Sequence, residues 1–160
     1  MAHRNADSSI HTYVAVNRLE AWLDSDPDAA VERFRALFAN WAPSLRALIC
    51  VADRTLVVRP IYALPVGMTW PRKAGVTLLG DAAHLMSPFA GEGANLVMLD
   101  GLQLARAIID HPGAPDAALT TYERDLFTRS TRMAEASAVN LYRFFGPDAP
   151  NSVVDLFCGR

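Results

Sequence analysis

The apolar positions of this chain change period several times, and each change marks an element. Val31, Phe34, Leu37, Phe38 and Trp41 recur every three or four residues, the spacing of one helix face. Asp26 before them reads as the N-cap, with Pro27 at the first helical position. Pro43 breaks that helix, and Ser44 to Ala52 predicts a second, short one ending near Asp53. A long helix is predicted from Pro115, because Leu119, Tyr122, Leu126, Met133, Ser137, Leu141 and Phe144 step along one face until Gly146-Pro147. Gly93 to Asp110 has the same period and stops at His111-Pro112-Gly113. A final short helix is predicted over Ser152 to Phe157.

Other stretches alternate or run apolar. Ser9 to Asn17 is rich in Thr, Tyr and Val and reads as a strand, with Asn5-Ala6-Asp7-Ser8 as the turn before it. Its hairpin partner would have to come from the few residues upstream. Thr55 to Leu64 is β-branched, but Pro60 demotes it to an edge or bent strand. Gly67 to Gly75 is a loop containing Trp70-Pro71-Arg72-Lys73, and Arg72-Lys73 reads as a surface pair. Val76-Thr77-Leu78-Leu79 is apolar on both faces, the signature of a strand inside a covered parallel sheet. No strand-helix-strand unit precedes it, so its neighbours are expected from missing sequence or from another chain.

Composition narrows the function classes. In 160 residues, 51% are hydrophobic and 20% charged, which suits a buried core. A net charge of -2 with scattered basic residues argues against nucleic-acid binding. No stretch is long enough to span a membrane, and Met1 to Asn5 carries no signal-peptide pattern. Cys50 and Cys158 form neither a disulfide framework nor a metal cluster, so no metal is expected and a cytoplasmic location is the plain expectation.

The candidate chemistry lies between residues 80 and 100. The string runs Gly80-Asp81-Ala82-Ala83-His84-Leu85-Met86-Ser87-Pro88-Phe89-Ala90-Gly91-Glu92-Gly93-Ala94-Asn95, and Asp100 follows on the helix. Asp81 sits where a strand ends, the place where α/β sheets bind ligands, and its carboxylate can accept hydroxyl hydrogen bonds. Gly91 and Gly93 let backbone approach a flat ligand. The helix that starts near Gly93 offers free N–H groups to an anion, or to a ring that becomes anionic on reduction. His84 reads as a packing or loop-bracing residue, Glu92 as solvent-facing, and Asp100 as a helix-side bond or salt bridge. Trp41 and Trp70 read as core or rim packing.

This string resembles the second flavin motif of the class A, para-hydroxybenzoate-hydroxylase-like FAD-dependent monooxygenases: Gly-Asp-Ala-Ala-His, then Pro, then Gly-x-Gly-x-Asn, then Asp. The version with Ser-Pro-Phe-Ala-Gly-Glu-Gly-Ala-Asn is similar to the branch of tetracycline-inactivating monooxygenases, and the likeness covers nearly the whole chain. The resemblance implies an α/β fold: the C-terminal portion of an FAD/NAD(P)-binding Rossmann-like fold, α+β in the isolated chain. Residues 1–66 would be a remnant of the β-sheet substrate domain. Residues 67–160 would be the C-terminal part of the FAD-binding domain with long C-terminal helices. Asp81 would bind the ribityl chain of FAD, and Pro88 would lie beside the isoalloxazine. Gly91, Gly93, Ala94 and Asn95 would line the pyrimidine edge of the ring, and Phe89 would form a substrate wall.

The activity implied is hydroxylation of an aromatic or polycyclic substrate, with FAD as cofactor and NAD(P)H as reductant. The cofactor carries that chemistry, so no catalytic residue is assigned. The family's N-terminal Gly-x-Gly-x-x-Gly and its middle Asp-Gly motif do not occur here, which points to a missing N-terminal half as partner. The alternative is a truncated, non-catalytic remnant that self-associates and binds no flavin. A third reading is a stand-alone binder of riboflavin or FMN.

Overall fold

The computed structural model describes residues 1–17, 27–50, 57 and 59–159. Asp26, residues 51–53, and Thr55, Leu56 and Val58 of the expected edge strand lie outside the described residues, as does the side chain of Val31. The described residues are mostly helical with one two-stranded sheet. They fall into two units, residues 1–60 and 61–160.

In the first unit, β1 (Ala2–Arg4) pairs antiparallel with β2 (Ile10–Thr12), His3 standing opposite His11. The few upstream residues do supply the hairpin partner. The turn is closed by Asn5 N–H to Ser9 O at 2.9 Å and by Ser9 N–H to the Asp7 carboxylate at 2.9 Å. Ser9 also donates its hydroxyl to that carboxylate, and these bonds hold the Asp7 carboxyl below its ordinary value. The strand is shorter than the alternation predicts, because β1 offers only three ladder residues. Helix α1 (Pro27–Leu37) begins at Pro27, and α2 (Pro43–Cys50) begins at Pro43. Phe38 is buried, with the rings of Phe34 and Trp41 edge-on at 5.2 and 4.8 Å.

The second unit is built on two helices. One-turn α3 (Asp81–His84) and a 3-10 turn, Pro88–Ala90, lead into α4 (Gly93–Asp110). His111-Pro112-Gly113 connects α4 to α5 (Pro115–Phe145), and α6 (Asn151–Cys158) closes the chain. Tyr122 and Leu126 of α5 are buried with Ala83, Ala107 and Ala118; Trp70, Leu104 and Phe127 pack against them. Alanines at the contact let the two helix backbones approach. Each buried Leu or Tyr contributes about 1.5–3 kcal/mol by leaving water.

Two expectations are corrected here. Val76–Leu79 is not a strand, and Leu78 and Leu79 are exposed. A strand needs a ladder, and this segment has only an isolated bridge, Lys73 with Val76. Arg59 to Leu64 likewise forms no strand. No described helix is long and apolar enough to cross a membrane.

Candidate functional site

The segment leading to the motif is tied down by acids on α5. Asp116 and Glu123 are seven residues apart, two helical turns, and so share a face. One Glu123 oxygen accepts from Trp70 Nε1 at 3.1 Å, Arg72 Nη1 at 3.2 Å and Thr77 Oγ1 at 2.8 Å. Asp116 accepts from Arg72 Nη2 at 3.0 Å and Gly75 N–H at 2.9 Å. Arg72 is therefore not a surface residue but the centre of a strap. The partners in sequence lie 44 and 51 positions away, beyond any local pattern.

The motif itself is anchored by one buried carboxylate. Asp100 is fully buried on α4 and accepts from Gly80 N–H at 2.9 Å and Arg129 Nη2 at 2.8 Å. His84 Nε2 lies 2.6 Å from the same Asp100 oxygen that Gly80 uses. Gly80 has φ 61°, and a Cβ there would meet Val97 at 3.3 Å, so only glycine suits this corner. Tyr122 donates to Leu78 O at 3.3 Å. Burial, and next the charge of Asp100, push its phenol above the ordinary 10.0.

Downstream, the turn that carries Pro88 is strapped to α5. Ser137 Oγ donates to Ser87 O and lies 2.6 Å from Ser87 Oγ, both side chains buried. Asn140 Nδ2 donates to Phe89 O at 3.0 Å. Sequence reasoning took Ser137 only as one position of a helix face and passed over Asn140. Phe89 is half-buried, its ring 5.5 Å from those of Phe144 and Phe145.

The predicted site residues are placed differently. Asp81 opens α3 exposed, and its carboxylate has no partner among the described residues. Pro88 is exposed at the start of the 3-10 turn, and Gly91 ends it with φ 70°. Gly91 and Gly93 have no atom within 4 Å of where a Cβ would stand. Ala94 and Asn95 are exposed in the first turn of α4; Asn95 Nδ2 donates to Glu92 at 3.2 Å. Leu96 N–H bonds Glu92 O, while no side chain caps α4 and the N–H groups of Gly93, Ala94 and Asn95 lack partners among the described residues. The residues present thus fit a flat ligand with an electron-rich edge: open backbone at two glycines, three free donors, and a free carboxylate for a hydroxylated chain. A separate open groove of about 360 Å³ is lined by Asp125, Thr128, Arg129, Arg132 and Met133 and includes none of these residues.

Residues 68–137 match the family model described as an FAD binding domain. The chain is similar to the dual O-methyltransferase/FAD-dependent monooxygenase of Cercospora beticola, 34% identical over 78% of this chain and 15% of the relative. It is 34% identical to a monooxygenase of Emericella nidulans, over 70% of this chain and 30% of the relative. The FAD-dependent urate hydroxylase of Mycolicibacterium vanbaalenii is 40% identical over 58% of this chain and 23% of its own length. The chain therefore spans less than a third of the length of each of these relatives. The segment that carries Asp81, Pro88 and the first turn of α4 thus matches an FAD binding domain and is similar to the corresponding part of FAD-dependent monooxygenases.

Proposed function

We propose that residues 81–95 hold the isoalloxazine and ribityl end of FAD in a monooxygenase that uses NAD(P)H to hydroxylate an aromatic or polycyclic compound. When bound, FAD supplies the oxygen-activating redox chemistry. In this reading the chain lies within a Rossmann-like FAD-binding fold. Asp81 accepts hydrogen bonds from the ribityl hydroxyls. Gly91 and Gly93 admit the ring edge to backbone contact. The N–H groups of Gly93, Ala94 and Asn95 donate to the pyrimidine oxygens and stabilise negative charge there. Pro88, with Phe89 behind it, forms the wall where substrate meets the ring. The observation that carries the reading is the uncapped first turn of α4, exposed beside two open glycines within a long helical unit. The relatives, a urate hydroxylase among them, support hydroxylation of a planar organic compound. Tetracycline-type substrates remain one member of that proposed class.

The test is a fluorescence titration of FAD, and separately of FMN, with the purified protein. Both flavins are expected to bind with raised anisotropy and similar affinity, since every residue assigned addresses the ring or the ribityl chain. Absence of binding by either flavin would overturn the assignment. One observation favours a second reading, self-association without flavin. Met98, Leu102 and Ile109 are 67%, 48% and 74% exposed on α4, away from the buried Asp100 and Ala107. Sedimentation of the protein as an oligomer that ignores both flavins would select that reading.

A further inference from the structure

We propose that the β1–β2 hairpin carries a two-histidine site for a divalent metal ion of nitrogen preference, Zn²⁺ in the first place. The chain has four histidines. Two are engaged: His84 with Asp100, and His111 Nδ1 at 2.9 Å from Ala107 O. The other two, His3 and His11, are direct cross-strand partners, so their side chains leave the same face of the ribbon. Both are exposed, and neither ring has a hydrogen-bond partner among the described residues. Their rings lie 5.5 Å apart between centroids with planes at 15°.

That separation suits a shared ion. Two imidazoles bound through nitrogen at about 2.0–2.1 Å to one tetrahedral ion have centroids about 5 Å apart. A turn about χ2, a broad torsion in histidine, brings one nitrogen of each ring to a common point while the backbone stays in place. Tyr13 supports the pair from the side: its ring stacks on His11 at 4.6 Å and lies 6.0 Å from His3. Imidazole is the ligand type that Zn²⁺, Cu²⁺ and Ni²⁺ share. Among the described residues no third His, Cys, Asp or Glu completes a cluster, so water fills the other positions and the ion keeps sites open to an outside ligand. Arg4 pairs with Ile10, one position along the ladder from the histidines, so its side chain emerges on the opposite face. It bonds Ser8 at 3.1 Å there, away from the histidine face.

The site is independent of the flavin reading and is tested without flavin. Zn²⁺ alone is titrated into the purified protein by calorimetry, with histidine ring protons followed by NMR. A single ion per chain is expected, broadening or shifting the His3 and His11 signals together. His3→Phe and His11→Phe each keep a flat ring beside Tyr13, so the hairpin retains its stacking; each is expected to weaken Zn²⁺ by roughly tenfold or more. His111→Gln is expected to leave binding unchanged. The proposal is overturned if Zn²⁺ does not bind, or if His11→Phe binds it as the unaltered protein does.

Discussion

Residues 70–80 and residues 81–95 follow one another along the chain, yet their polar groups are treated in opposite ways. In the first stretch Trp70, Arg72, Gly75, Thr77 and Gly80 all donate to acids held on α4 or α5. In the second, the Asp81 carboxylate and the N–H groups of Gly93, Ala94 and Asn95 have no partners among the described residues, while His84, Ser87 and the Phe89 carbonyl are held by α4 and α5. The carboxylates of Asp100, Asp116 and Glu123 thus fix the approach to the motif, while the Asp81 carboxylate and the first N–H groups of α4 stay open. Satisfied buried networks make a unique geometry, whereas open groups are free for a ligand. The comparison separates residues that shape the site from residues that would touch its occupant.

Substitutions can break this division at several strengths. Asp100→Ala is expected to do most damage, because it strands the half-buried Arg129 guanidinium, the buried His84 imidazole and the Gly80 N–H together. Removing one partner of a buried pair costs about 3–5 kcal/mol, which urea denaturation would read as a large fall in midpoint. Next comes Gly80→Ala, at about 1–2 kcal/mol for a side chain in left-handed backbone, increased by the contact with Val97. The same denaturation series would rank the two.

A pH series tests the Tyr122 link to the strap. Its raised phenol means that the folded state keeps the proton when the unfolded chain has lost it. The stability it contributes is complete below the ordinary value of 10.0 and falls as pH rises above it. Tyr122→Phe is expected to remove that part of the alkaline slope, so the difference between the two proteins' stabilities should change above pH 10 and stay flat below. A parallel decline in both would disprove the link.

Much of this was legible in the sequence, and for identifiable reasons. α4 runs over Gly93–Asp110 as its period predicts, and α5 over Pro115–Phe145, because proline and glycine punctuate both ends locally. Val76–Leu79 misled because an apolar run states that a residue avoids water but not which strand will pair with it. Arg72 misled for a similar reason: it stands beside Lys73 in a loop, and its partners sit on a helix far along the chain. The turn and helix start within 80–95 were readable because they are local, marked by Pro88, Gly91 and Gly93. The straps at Ser137 and Asn140 were not, since a serine and an asparagine on a helix announce nothing until the loop they hold is in place.

The smallest expected effect on stability belongs to the residue with the largest expected effect on flavin. Asp81 is exposed and unpartnered, so Asp81→Ala should shift the urea midpoint by no more than about 0.5 kcal/mol in stability. The most direct measurement is therefore FAD affinity and unfolding midpoint, side by side, for the unaltered protein and Asp81→Ala. The account predicts an unchanged midpoint with FAD binding weakened by about 1–3 kcal/mol. A lowered midpoint with unchanged FAD affinity would contradict it, and would place Asp81 among the residues that hold the fold.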